Sequence, residues 1–153
     1  MTAHELMTQI KQCRRRIRLL NEAIARDRIL AQGVKGIRYD KDIVQASPVA
    51  DRMADIVARI IENANALEEE IMKLQELEAN IRGYLLKLPE RCERALSLHY
   101  LDGNNWAKVA VIMNYDDSYI YKVKNEALEE LDKILYEERE KTTTKEKMPG
   151  VKY

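Results

Sequence analysis

Two long stretches of this chain place an apolar residue every three or four positions, and that rhythm restricts the fold more than any other feature. From about Ala3 to Gln32 the positions are Leu6, Ile10, Cys13, Ile17, Leu20 and Ile24. From Pro48 to about Lys87 they are Met53, Ile56, Ile60, Ala64, Leu67, Ile71, Leu74, Leu77 or Glu78, Ile81 and Leu85. Such spacing keeps one face of an α-helix apolar, and steps alternating between four and three make a coiled-coil seam. The second stretch predicts a rod about 60 Å long, at ~1.5 Å per residue, which cannot bury its stripe alone. It is expected to pair with the first helix as an antiparallel hairpin over residues 1–87. Because the first helix is about ten residues shorter, part of the second stripe is left over. A homodimer or higher oligomer through these helices is therefore expected. The alternative is a monomer whose hairpin packs on its own C-terminal part.

Local signals divide the chain. Gly33 suits a helix C′ position, where a left-handed residue is needed. A connector over residues 33–47 follows, and Ser47-Pro48 reads as an N-cap and first helical residue. Pro89 disfavours helical geometry at Leu88, so the long helix is expected to break there. Residues 88–140 then read as three short helices, Pro89 to Leu101, Asn105 to Met113 and Asp117 to about Glu140. Residues 141–153 are polar and aperiodic, and a disordered tail is expected. The fold class is all-α: five Gly and three Pro in 153 residues, with 34% charged residues against a usual ~25%, suit long solvated helices.

Composition also removes whole classes of function. No apolar run of about 18 residues is present, so no membrane span is expected. The opening MTAHELMTQIKQCRRR lacks the apolar core of a signal peptide, which makes the cytoplasm the expected compartment. Cys13 and Cys92 lie in unrelated segments and read as reduced core thiols. There is no cluster with metal-ligand spacing, no phosphate-binding glycine motif, and no serine or cysteine placed with a histidine for nucleophilic catalysis. No catalytic residue, metal or cofactor is expected. His99, near the apolar positions Cys92, Ala95 and Leu96, reads as a packed helix residue.

The informative segment begins at Trp106. Counting it as position one, apolar residues fall at four (Val109), eight (Met113), ten (Tyr115), fifteen (Ile120) and eighteen (Val123), with a small residue at five (Ala110) and Asn114 at nine. This is helix-turn-helix spacing. The residue at five must be small because two helices cross there, and the one at nine bends the chain into a left-handed conformation that Asn tolerates after Gly. Ile120 and Val123 would face inward. Asp117, Ser118, Tyr121, Lys122 and Asn125 would face outward, toward a DNA major groove, with Tyr119 and Lys124 at the flanks for phosphate contact. Asp116 reads as the N-cap. Trp106 is expected to pack between helices. A plain three-helix bundle is the alternative that spacing alone leaves open.

The segment from Leu88 to Leu131 resembles region 4 of bacterial sigma factors. The shared frame is Leu88-Pro89-Glu90-Arg91, Tyr100-Leu101-Asp102-Gly103, Val109-Ala110 and Lys124-Asn125-x-Ala127-Leu128-x-x-Leu131. The whole chain is more similar to small phage and prophage regulators of the RinA/ArpU type, which join a coiled N-terminal half to a sigma-like domain. Their connector is matched by Tyr39-Asp40-Lys41-Asp42-x-Val44-Gln45-x-Ser47-Pro48 and Asp51. The resemblance implies a sequence-specific double-stranded DNA-binding regulator of late or packaging genes. It departs from sigma domains at Val111-Ile112, where a polar pair is usual and packing on the N-terminal helices is expected, and at Asp116-Asp117, where Arg or polar residues are commoner. No sigma region 2 is present, so a complete sigma factor is not expected. The competing readings are a sigma-like module docking on bacterial RNA polymerase, and a packaging protein similar to a terminase small subunit.

Charge bears on the choice. The chain holds 26 basic and 26 acidic residues, but residues 1–40 carry nine and four, residues 41–90 six and ten, and residues 91–153 eleven and twelve. Neutrality is a cancellation between a basic first helix and an acidic second. The run Lys11, Arg14, Arg15, Arg16 and Arg18 is expected to pair with Glu68-Glu69-Glu70, with an auxiliary phosphate contact as the alternative. Electrostatic attraction to DNA should be modest, leaving specific contacts and oligomerisation to supply most of the affinity.

Overall fold

The computed structural model describes residues 1–35 and 48–147. The fold is all-α. The helices are α1 (Ala3–Lys35), α2 (Pro48–Leu85), α3 (Glu90–Leu96), α4 (Trp106–Met113) and α5 (Asp117–Lys147), with a π-turn at Ser97–Leu101 following α3. None is long and apolar enough to cross a membrane among the described residues. Pro48 opens α2, where its missing N–H costs nothing, and Asp51 lies in the first turn, where its charge suits the helix dipole. The expected Ser47 cap, and the connector from residue 36 on, lie outside the described residues.

Two boundaries differ from expectation. Gly33 does not end α1, which continues to Lys35. Val34, one residue beyond the glycine, is buried, and its burial draws the helix onward. The tail expected from residue 141 is helical as far as Lys147. Leu135 is buried upstream, Lys87 grips Glu138 at 2.7 Å, and the hydroxyls of Thr142 and Thr144 donate to the carbonyls of Glu138 and Glu140. An anchored helix propagates at little cost per added residue. Residues 148–153 lie outside the described residues.

The chain forms two compact units, one of Gln12–Gln75, the other of Met1–Lys11 with Glu76–Tyr153. These bounds differ from the division at residues 87 and 88 that the sequence suggests. Both ends of the predicted hairpin belong with the C-terminal helices, because their apolar residues are covered there. Ala3, Leu6, Met7 and Ile10 are buried, as are Ile81, Leu85 and Leu88. The Ala3 amide donates to Asp132 at 2.6 Å, and Arg139 donates to the Met1 carbonyl at 2.7 Å. Leu6, Leu77, Tyr84 and Leu135 line one shallow depression.

In the unit of residues 12–75, α1 and α2 run antiparallel. Arg16 faces Glu70 at 3.6 Å, and eleven residues further along α1 Asp27 faces Arg59, eleven residues back along α2, at 3.0 Å. Cys13, Ile24, Val34 and Ile56 are buried along the seam. Ile71, expected in the stripe, is instead 38% exposed.

In the other unit α2 closes on two tight turns, Lys87 N–H to the Tyr84 carbonyl and Leu88 N–H to the Leu85 carbonyl. Pro89 (φ −55°, ψ 145°) then sets the extended residue that starts α3. Asn105 caps α4 by accepting from the Lys108 amide at 2.8 Å. At the far end of α4 Asn114 adopts φ 63°, ψ 41°. Its N–H reaches the Val111 carbonyl and the Tyr115 N–H reaches that of Ala110, a pair of bonds that makes a Schellman motif. Ala110 and Val109 are fully buried, as the spacing from Trp106 requires.

Asn114 is the only non-glycine residue with positive φ among the described residues, so the bend depends on it. Asn114→Ala should cost about 1 kcal/mol, because alanine keeps the Cβ but lacks the side-chain amide that eases the left-handed region for Asn, and Asn114→Gly, with no Cβ, should be at least as stable as wild type. Urea unfolding midpoints of the two variants check this ordering.

Candidate nucleic-acid interface

α3, α4 and α5 share a core of Ala95, Val109, Ala110, Ile120 and Val123, with Leu98, Trp106, Met113 and Tyr115 packed at its margin. Each large apolar side chain buried this way stabilises by about 1.5–3 kcal/mol. Ile120 and Val123, both 1% exposed, therefore fix the rotation of α5 about its axis. Its opposite face is thereby left open.

That face carries the expected residues. Asp117, Ser118, Tyr121, Lys122 and Asn125 are exposed, as is Asp116 before them. They supply hydroxyl, amide, ammonium and carboxylate groups along about two turns of helix. Hydroxyl and amide groups hydrogen-bond base edges or phosphates, and the ammonium answers a phosphate. The two carboxylates at the start of α5 would repel a polyanion.

The flanking residues are held by their neighbours. The Tyr119 ring meets that of Tyr115 edge-on at 4.8 Å, and its hydroxyl accepts from Arg91 at 3.1 Å. Arg91, on α3, also makes a two-pronged bond to Glu126 at 2.5 and 2.7 Å. This Arg91–Glu126–Tyr119 link fastens α3 to the first turns of α5, and sequence reading missed its pairing. Lys124 is half-buried, its ammonium 5.5 Å from the centre of the Trp106 ring. Val111 and Ile112, expected to pack on other helices, are instead 76% and 40% exposed. Val109 and Ala110 point α4 inward, which turns the next two positions out.

A second group of side chains lies where α4 begins. The π-turn carries the His99 and Tyr100 rings, set edge-on at 4.5 Å. Trp106 stacks on His99 at 4.1 Å and meets Tyr100 edge-on at 6.1 Å. Gly103 (φ 79°) lets the chain reverse, and Asn104 ties the loop with its side-chain amide donating to the Leu98 carbonyl at 2.9 Å. His99 Nδ1 lies 2.6 Å from the Asn104 carbonyl, and its Nε2 is buried with no partner. Lys11 places its ammonium 5.0 Å from the centre of the Tyr100 ring. Trp106 thus packs between helices as expected, and His99 is a packed residue. Cys13 and Cys92 are free and buried thiols, whose pKa values burial pushes up. Of the basic run, Arg16 reaches Glu70, while Arg15 and Arg18 are exposed.

Burial foremost, and then the Lys11 and Lys124 ammoniums, push the His99 pKa below its ordinary 6.5, against the pull of the Asn104 carbonyl. The ring is neutral and donates from Nδ1. The unfolded chain takes up a proton near 6.5 that the folded chain refuses, so stability is lost as pH falls through that value. The thermal midpoint of wild type should fall more between about pH 7.5 and about pH 5.5 than that of His99→Gln. Equal falls would assign the effect to other groups.

Comparison of the chain with family models, with curated proteins and with solved structures returns no match.

Proposed function

We propose that this chain is a sequence-specific double-stranded DNA-binding regulator of transcription, of the kind that controls late or packaging genes in phages and prophages. In this reading α5 enters the major groove, α4 crosses the backbone, and the hairpin half joins copies so that two α5 helices meet half-sites about one helical turn, or a multiple, apart. One observation carries it. Ile120 and Val123 are buried while Ser118, Tyr121, Lys122 and Asn125 stand exposed on the other side of the same helix, behind a bend made by a left-handed Asn114. The likeness of Leu88–Leu131 to sigma region 4 supports the same use of α5, and the likeness of the connector supports the phage setting.

Genome-wide recovery of bound fragments should yield one promoter-proximal class of site. Asn125→Ala should lose it, with a base-edge contact contributing about 1–3 kcal/mol of discrimination, and Lys122→Ala should weaken binding to it through a lost phosphate contact. Recovery without sequence preference would refute the reading. Exposed Val111 and Ile112, with Asp116-Asp117, favour a second reading in which the domain docks on RNA polymerase. Promoter binding untouched by both substitutions would select it.

For joining copies, the hairpin unit offers Val57, Ile61 and Met72 on α2, 43%, 55% and 63% exposed. Ile61→Glu is expected to convert the oligomer to monomer without lowering helicity, as measured by sedimentation and circular dichroism. A ring of many chains in wild type would instead favour a packaging role.

A further inference from the structure

Lys11 and Lys124 come from segments more than a hundred residues apart, yet both stand over one aromatic pair. Lys11 lies 5.0 Å from the Tyr100 ring centre, Lys124 lies 5.5 Å from that of Trp106, and the two rings are 6.1 Å apart. Among the described residues neither ammonium has a carboxylate within ion-pair distance. The faces of the rings attract each cation and hold it, but they do not cancel its charge. The two like charges work against each other: burial and Lys124 together lower the pKa of Lys11. The pair's charge is therefore left to water or to an anion that comes to it.

The platform also has a direction. Trp106 is the first residue of α4, whose opening N–H groups are unpaired within the helix. Lys108 and Val109 amides are taken by Asn105, which leaves those of Trp106 and Ala107 at the open end. Lys124 stands on α5 beside Asn125, on the margin of the exposed face. A duplex seated on that face brings its backbone past the start of the preceding helix.

We propose that Lys11 and Lys124 together hold one backbone phosphate of double-stranded DNA, so that the N-terminal segment of the chain is part of the DNA-binding surface. This rests on the DNA-binding reading above and adds Lys11 to it. The contact is with phosphate, so it positions the protein and carries no base preference.

The test uses the full chain with Lys11→Met, which keeps a flexible apolar chain against Tyr100 and removes the charge. Binding is titrated over a range of salt against a fragment recovered from the genome and against a duplex of scrambled sequence. Lys11→Met should weaken both to a similar extent, by about threefold to tenfold near ~0.1 M salt, and reduce the slope of log K on log salt by about one. Lys11→Arg should restore the slope. A purely structural role for Lys11 would shift the thermal midpoint and leave the slope alone, and that result overturns the contact while groove reading stands. A wild-type chain that binds neither duplex overturns both.

Discussion

Everything on the outward face of α5 depends on the close crossing of α4 and α5 at Ala110. A fully buried alanine lets the helices approach, and the left-handed Asn114 turns the chain sharply enough to bring Ile120 and Val123 back onto the same core. A larger residue at 110 would separate the helices, and the inward pair would lose its cover. The Schellman bonds from Asn114 and Tyr115 satisfy carbonyls that a helix end otherwise leaves to water. Side chains that would touch a ligand are thus held by residues that would never touch it.

A second set of ties fixes where the face ends. Arg91 joins α3 to α5 through Glu126 and the Tyr119 hydroxyl. The pair is well exposed, so its geometry matters more than its energy. At the other margin the His99–Trp106 stack carries Lys124, and Tyr100 carries Lys11. Cations over aromatic rings keep their charge toward solvent. An ion pair would have neutralised them, and the difference decides what the margin can attract.

The hairpin unit follows a different logic. Its antiparallel register is marked by Arg16–Glu70 and Asp27–Arg59, and Asp27 is buried at 8% exposure. A buried carboxylate needs its partner, so this pair disfavours other registers of a repeating seam. The cancellation of a basic first helix by an acidic second has its local expression here.

The all-α class, the two long helices, the breaks at Pro48 and Pro89, and the left-handed turn at Asn114 were legible in the sequence, because each follows from periodicity or from the sterics of one residue type. Ala110, Ile120 and Val123 could be placed for the same reason. Helix ends at Gly33 and residue 141 could not, since they depend on Val34 and Leu135 finding cover. The links of Arg91 to Glu126 and of Lys11 to Tyr100 span 35 and 89 positions, and no local pattern announces a contact at that distance. Periodicity tells which side of a helix is apolar. What covers that side, and which charges are left without a partner, is settled only when distant segments pack together, because burial and charge pairing belong to the assembled surface and not to any one stretch of chain.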